Sequence, residues 1–105
     1  MKNAKLKYNF EWDRNKAKLN LKKHKISFER AAEIFLDPFA VSIFDDEHSS
    51  EEERWVTIGK NAEKAVLVLV HTFSQEENGQ FNVRIISARK ATKKEIKQYE
   101  ENGEL

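Results

Sequence analysis

The sequence predicts an α+β domain in the order β-α-α-β-β-β-β-α, with a mainly antiparallel sheet, two N-terminal helices packed on one face and a C-terminal helix. Three observations carry that expectation. Caps and helical spacing are concentrated before Pro38, period-two runs fill the middle of the chain, and Thr92-Lys93-Lys94-Glu95 reads as a capping box. With 105 residues there is room for one domain, 1–105, and one core.

Taken in order, Tyr8-Asn9-Phe10-Glu11-Trp12 alternates large aromatic with polar side chains, the period of a strand with one buried face. Asp13 is placed to cap a helix with Ala17, Leu21 and His24 at i, i+4 and i+7. Lys22, Lys23, His24 and Lys25 crowd its last turn, where cations complement the helix dipole. Ser27 reads as a second cap, and Phe28, Ala31, Ala32 and Phe35 give an apolar stripe that Asp37-Pro38 ends. Val41–Phe44 is a short strand closed by an acidic loop through Glu53, and Arg54-Trp55-Val56-Thr57-Ile58 is the next. Residues 59–63 and 75–79 read as turns, and 81–87 as the last strand. Between the turns, the unbroken apolar run 65–70 belongs in the sheet centre with both faces covered. The C-terminal helix starts at the capping box and stops at Gly103. Its apolar face is thin, Ile96 and Tyr99, so it is expected to dock weakly or against something outside this chain. No repeat, linker or low-complexity segment stands out.

The absence of cysteine removes disulfide scaffolds, thiol catalysis and cysteine-ligated metal centres. No apolar run approaches the ~18 residues a membrane helix needs, and no signal peptide is evident, so a soluble cytosolic protein is expected. The net charge of +1 conceals an asymmetry: residues 1–30 sum to +7, residues 31–60 to −6, and residues 61–105 to zero. Two basic blocks flank the acidic Asp45-Asp46-Glu47 and Glu51-Glu52-Glu53. Such a division suits a polyanion or a charged protein partner, and equally a solvated surface.

Most site chemistries fail on composition. His24, His48 and His71 have no ligand-like spacing, and Asp45-Asp46-Glu47-His48 lacks the glycine turn of a calcium loop, so no metal is expected. Three glycines leave no phosphate-cradling loop, no nucleophile elbow is visible, and no cofactor is expected. Cationic side chains on strands remain. Arg54 shares parity with Val56 and Ile58, His71 with Leu67 and Leu69, and Arg84 with Ile86 and Ala88. Strict alternation puts Arg84 and Arg89 on opposite faces, so one cluster requires a bulge or an early strand end. Two readings stand: surface arginines paired with Glu52 or Glu53, or a site for a phosphodiester. In the second, guanidinium groups hold phosphate and imidazole moves a proton, with the RNA 2′-hydroxyl as nucleophile.

Several segments resemble the BrnT toxin family. They are Phe10-Glu11-Trp12-Asp13, Lys16 with Asn20, Lys23-His24-Lys25-Ile26-Ser27-Phe28, and Ala31-Ala32 ahead of Phe35-Leu36-Asp37-Pro38. Further along are Glu53-Arg54-Trp55-Val56-Thr57-Ile58-Gly59 and Val70-His71-Thr72. The most specific block is Arg84-Ile85-Ile86-Ser87-Ala88-Arg89-Lys90-Ala91-Thr92. Lys25 departs from the family, which commonly has Gly there, at a position that favours a positive φ.

The resemblance implies a RelE/ParE-like fold and a small bacterial cytoplasmic endoribonuclease that blocks translation. It also implies a BrnA-type antitoxin of ribbon-helix-helix type that supplies the DNA-binding part, so that the complex represses its own promoter, with a toxin dimer within that complex. Carried over by position, the expected catalytic residues are Arg54, His71, Arg84 and Arg89, with Arg54 and Arg84 on the scissile phosphate. Arg89 or Lys90 would support them, and His71, then Glu53, would be the proton-transfer group. Lys22, Lys23, Lys90, Lys93 and Lys94, with Lys97, would follow flanking RNA phosphates or meet an acidic antitoxin segment. On the same fold, a non-catalytic module that inhibits a protein target or recruits a DNA-binding partner is the competing expectation.

Overall fold

Residues 8–50 and 52–103 are described by the computed structural model; the lysines before Tyr8 and Glu51 of the acidic block lie outside them. Local signals set the elements. Strand β1 is Tyr8–Trp12 and helix α1 is Arg14–His24, capped by the Asp13 carboxylate accepting from the Asn15 and Lys16 N–H groups at 2.8 and 3.0 Å. Ser27 caps α2, Phe28–Ala32, which tightens into a 3₁₀ turn over Glu33–Leu36 before Pro38. Strands β2 (Val41–Phe44), β3 (Arg54–Lys60), β4 (Val66–Thr72), β5 (Ser74–Gln75) and β6 (Phe81–Lys90) follow. Helix α3, Lys93–Gly103, begins behind Thr92 as its capping box requires.

Helix α1 closes on Lys25, which adopts the left-handed conformation at φ 62° and donates its N–H to the Leu21 carbonyl at 2.9 Å. A side chain there carries a steric cost that glycine lacks. Lys25→Gly should therefore raise the midpoint of urea unfolding, by up to about 1 kcal/mol of stability; an unchanged or lowered midpoint would show that the turn is unstrained.

The sheet runs β1-β6-β4-β3-β2, with β5 pairing β6 in a short hairpin. All pairs are antiparallel except β1 with β6, which is parallel and joined through α1 and everything after it. The apolar run sits on β4, third of the five strands, and both its faces are covered as expected: Leu67 and Leu69 lie in one cluster, Val68 in another.

Those two clusters keep the first two helices on one face as expected and correct the docking expected of the last one. Phe28, Ala31 and Ile34 of the first two helical segments pack on Leu67, Leu69, Val83, Ile85 and Ala88. Helix α3 covers the opposite face, where Tyr99 is buried against Ile58 and Val68. Tyr99 also donates its hydroxyl to Asp37 at 2.5 Å, and Lys60 Nζ lies 5.9 Å from its ring centroid. The helix has a thin apolar face and still docks on this chain, because one large aromatic ring with a polar anchor holds it. Tyr99 is correspondingly hard to ionise, its pKa pushed up to about 12 by burial and by the Asp37 carboxylate.

A second correction concerns α1. Leu21 is exposed, and the residue that turns inward is Asn20. Strand β1 pairs β6 only as far as Trp12 with Ile85, whereas β6 continues to Lys90. The Asn20 side chain fills in for the missing strand. Its amide donates to the Ala88 carbonyl at 2.9 Å and to the Ile26 carbonyl at 3.1 Å, and accepts from the Ala88 N–H at 3.1 Å.

The third difference is a bulge in β6. Val70 lies opposite Ser87 but His71 lies opposite Ile85, so Ile86 is an extra residue. Val83, Ile85 and Ala88 therefore all face the α1/α2 side, and Arg84 and Arg89 share the α3 side. The bulge that a common face requires is present.

Candidate active site

Parity along the strands decides which cations meet. Arg54 of β3 lies opposite Thr72 of β4, and the Arg84 backbone N–H of β6 donates to the Thr72 hydroxyl at 3.2 Å. All three occupy the α3 side of the sheet, at the end that α3 leaves open. With strands about 4.8 Å apart, the Arg54 and Arg84 backbones flank Thr72 about 10 Å from each other. Two guanidinium groups extended from that spacing can close on one phosphate above Thr72. Glu11 of β1 stands in register beside Arg84. Glu52, Glu53, Thr72, Phe73 and Ser74 line an open cavity of about 440 Å³ there.

Arg84 is ion-paired with Glu52 from the acidic loop, one of the two partners anticipated for it. Both side chains are substantially exposed, at 35% and 44%, so a phosphate can displace the carboxylate at little cost. Arg54 is half-buried and has no ion-pair partner among the described residues.

Arg89 is on the same face but opposite Val68, four residues down β4 from Thr72 and so about 13 Å away. Its guanidinium grips Glu95 with two bonds of 2.8 Å. Glu95 in turn accepts from the Thr92 N–H at 2.9 Å, so Arg89 is built into the start of α3 rather than beside Arg84. Sequence reading could have caught this: a capping-box glutamate six residues after an arginine at a strand end is within reach of it. The bonds from Arg89 hold the Glu95 carboxyl at about 2, outweighing its partial burial, with help from Thr92. Because the folded-state value lies below the ordinary one, the unfolded chain binds more protons between pH about 4.5 and about 2. Stability should therefore fall as pH drops through that window, and Glu95→Gln should flatten that limb in denaturant titrations at successive pH values.

His71 does not join the arginines. It shares the face of Leu67 and Leu69, is 1% exposed and lies edge-on to Phe35 with ring centroids 5.1 Å apart. Burial lowers its pKa and keeps the ring neutral, against a smaller opposing effect of the Thr72 carbonyl. Nδ1 is 2.9 Å from that carbonyl, which can only accept, so Nδ1 carries the proton. Nε2 then accepts from the Thr57 hydroxyl at 2.7 Å, and Thr57 accepts from Ser42 at 2.7 Å. A proton-transfer role for His71 beside Arg84 is thus not what the geometry offers. Besides Glu52, the carboxylates on this side are Glu53, expected second, which lines the cavity, and Glu11, whose signal was its parity beside a strand arginine in a parallel pair that sequence alone did not suggest.

The lysines divide as well. Lys93 and Lys94 are exposed in the first turn of α3, with Lys97 a turn further along, on the arginine side. Lys22 and Lys23 are exposed at the end of α1, against the other face, and Lys90 pairs with Leu67 on that same face. The six do not form one track. Among the described residues no three His, Asp or Glu side chains gather as metal ligands would, and no helix is long and apolar enough to cross a membrane.

A family model described as "Ribonuclease toxin, BrnT, of type II toxin-antitoxin system" matches residues 12–95. Among solved structures, the chain is similar to the Brucella abortus ribonuclease toxin BrnT, with a TM-score of 0.55 and 20% identity over 80% of this chain and 96% of that one, a likeness of fold. No curated protein sequence matches the chain.

Proposed function

Given that the chain belongs to the BrnT family of ribonuclease toxins from type II toxin–antitoxin systems, we propose that it cleaves RNA on the open end of its sheet, with Arg54 and Arg84 holding the scissile phosphate. The observation that supports this reading is the placement of the two arginines on either side of Thr72. Fixed guanidinium groups there oppose the charge that grows on a pentacoordinate phosphorus. Glu53, lining the cavity beside Thr72, is the base that takes the 2′-hydroxyl proton. The 2′-oxygen bonds to phosphorus, the bond to the 5′-oxygen breaks, and the departing oxygen takes a proton from solvent. The products are a 2′,3′-cyclic phosphate and a 5′-hydroxyl. Lys93, Lys94 and Lys97 extend the phosphate contacts on that face.

In the cell this activity blocks translation in the bacterial cytoplasm, on a RelE/ParE-like scaffold. A BrnA-type antitoxin with a ribbon-helix-helix DNA-binding part neutralises it, and the complex, containing a toxin dimer, represses its own promoter. Purified protein should cleave single-stranded RNA in the presence of EDTA and leave cyclic phosphate ends. Cleavage that requires a divalent cation would overturn the metal-independent route.

A further inference from the structure

On the other side of the strand ends from the arginines, a second cavity of about 260 Å³ lies between the sheet and the segment after α2. Its walls are aromatic: Tyr8, Phe35, Trp55 and Phe73. Its polar groups are few and fixed, and include Asp37, whose carboxylate already accepts from the Phe39 and Lys60 N–H groups and the Tyr99 hydroxyl. Ser42, Thr57 and His71 form the hydroxyl chain described above, and the neutral ring's protonated Nδ1 sets the direction of the chain. Thr57 gives its hydrogen to His71 and Ser42 gives its own to Thr57, so the Ser42 oxygen is left as an acceptor. Trp55 contributes the opposite: its Nε1–H is buried and is the one such side-chain atom without a hydrogen-bond partner among the described residues. A buried donor without an acceptor is costly, and a ligand that supplies one relieves that cost.

The two cavities are neighbours. Pairing of β3 with β4 stops at Arg54 opposite Thr72. Just beyond, Phe73 lines both the arginine-side cavity and the aromatic one. On β4 the consecutive His71 and Thr72 line the aromatic and the arginine-side cavity respectively, and on β3 Trp55 of the aromatic cavity follows Arg54 directly. A ligand that spans the strand ends needs an anionic part on the arginines and a flat, hydrogen-bonding part in the aromatic cavity. A nucleotide has both.

We propose that the aromatic cavity is a nucleobase pocket, taking one unstacked base of the RNA strand whose phosphate lies on Arg54 and Arg84. This rests on the phosphate reading above and adds to it a base-binding position. Stacking between aromatic walls binds any base, and the Trp55 donor with the Ser42 acceptor reads the base edge. An apolar side chain from a protein partner would fill the volume but leave the Trp55 N–H without an acceptor, so the base is the better fit.

The test is equilibrium binding of non-cleavable 2′-O-methyl pentanucleotides, made abasic at each position in turn. At one position the missing base should weaken binding to the unmodified protein about tenfold. Trp55→Phe and, separately, the exposed-strand variant Ser42→Ala should shrink that penalty, whereas Arg84→Ala should weaken base-bearing and abasic strands alike. Abasic strands that bind as well as intact ones at every position, while Arg84→Ala still weakens both, would sink the pocket and spare the phosphate site. A base penalty undiminished in both pocket variants would overturn it too. So would a Trp55→Phe protein that loses only its antitoxin affinity. Binding indifferent to Arg84→Ala would instead remove the phosphate reading, and this one with it.

Discussion

Arg84→Ala should lower the rate of RNA cleavage by roughly 100- to 1,000-fold while leaving the fold intact. The two halves of that expectation have separate grounds. The Arg84 side chain is 35% exposed and its one ion-pair partner is Glu52, itself 44% exposed, a kind of pair worth about 0–1 kcal/mol. Its backbone N–H, which binds the Thr72 hydroxyl, is untouched by the substitution. The guanidinium, by contrast, is one of two fixed cationic groups facing the same spot on the sheet, and no other described residue can replace it there: Arg89 is committed to Glu95. Arg84→Lys should recover only part of the loss, since an ammonium supplies charge without the planar two-pronged grip. Single-turnover cleavage of a defined RNA, with circular dichroism to check the fold, measures both. A variant that cleaves at the parent rate would remove Arg84 from the site.

Asn20→Ala should be the most damaging small change to stability, on the order of 3 kcal/mol. Asn20 is 7% exposed and its single amide meets three backbone groups, the N–H and carbonyl of Ala88 and the carbonyl of Ile26. Removing it leaves these groups buried without partners, and each such group costs about 1–3 kcal/mol before water can enter. The thermal midpoint should drop by more than about 10 °C. Asn20→Asp keeps the acceptor and loses both donations, so it should fall between the two or below them, and a midpoint near the parent's for either variant would mean that β6 does not depend on this side chain. The position reads as part of a polar helix, yet it acts as a piece of sheet.

Signals confined to a few neighbouring residues were legible. Asp13, Ser27, Pro38 and the Thr92–Glu95 box fixed element ends because each acts on backbone within one turn of itself. Parity within each strand was legible too, but it did not show that His71 lies on the opposite face from Arg54 and Arg84. What parity could not reveal was which face stays open, because that depends on where α3 docks. Its docking rests on Tyr99 reaching Asp37, sixty-two positions away in the chain. Nor did anything announce the bulge: Ile86 is an ordinary β-branched residue, and the slip shows only when β6 is laid against β4. For the site, this meant that the right residue types were named while their grouping was not. Glu11 and Thr72 sit beside the arginines, His71 stands behind them, and Arg89 serves the helix.

The bulge at Ile86 also makes β6 a strand with two phases. Before it, odd-numbered residues face the first two helices; after it, even-numbered ones do. Facing is thus set by residue count rather than by composition, much as a reading frame sets codons. Pairing β6 without the bulge, with Ile86 and every other residue kept, would restore simple alternation while changing no chemical group. It would then force either Arg84 into the core or Arg89 away from Glu95. The spacing between those two arginines is for that reason as much a part of the active surface as the arginines themselves.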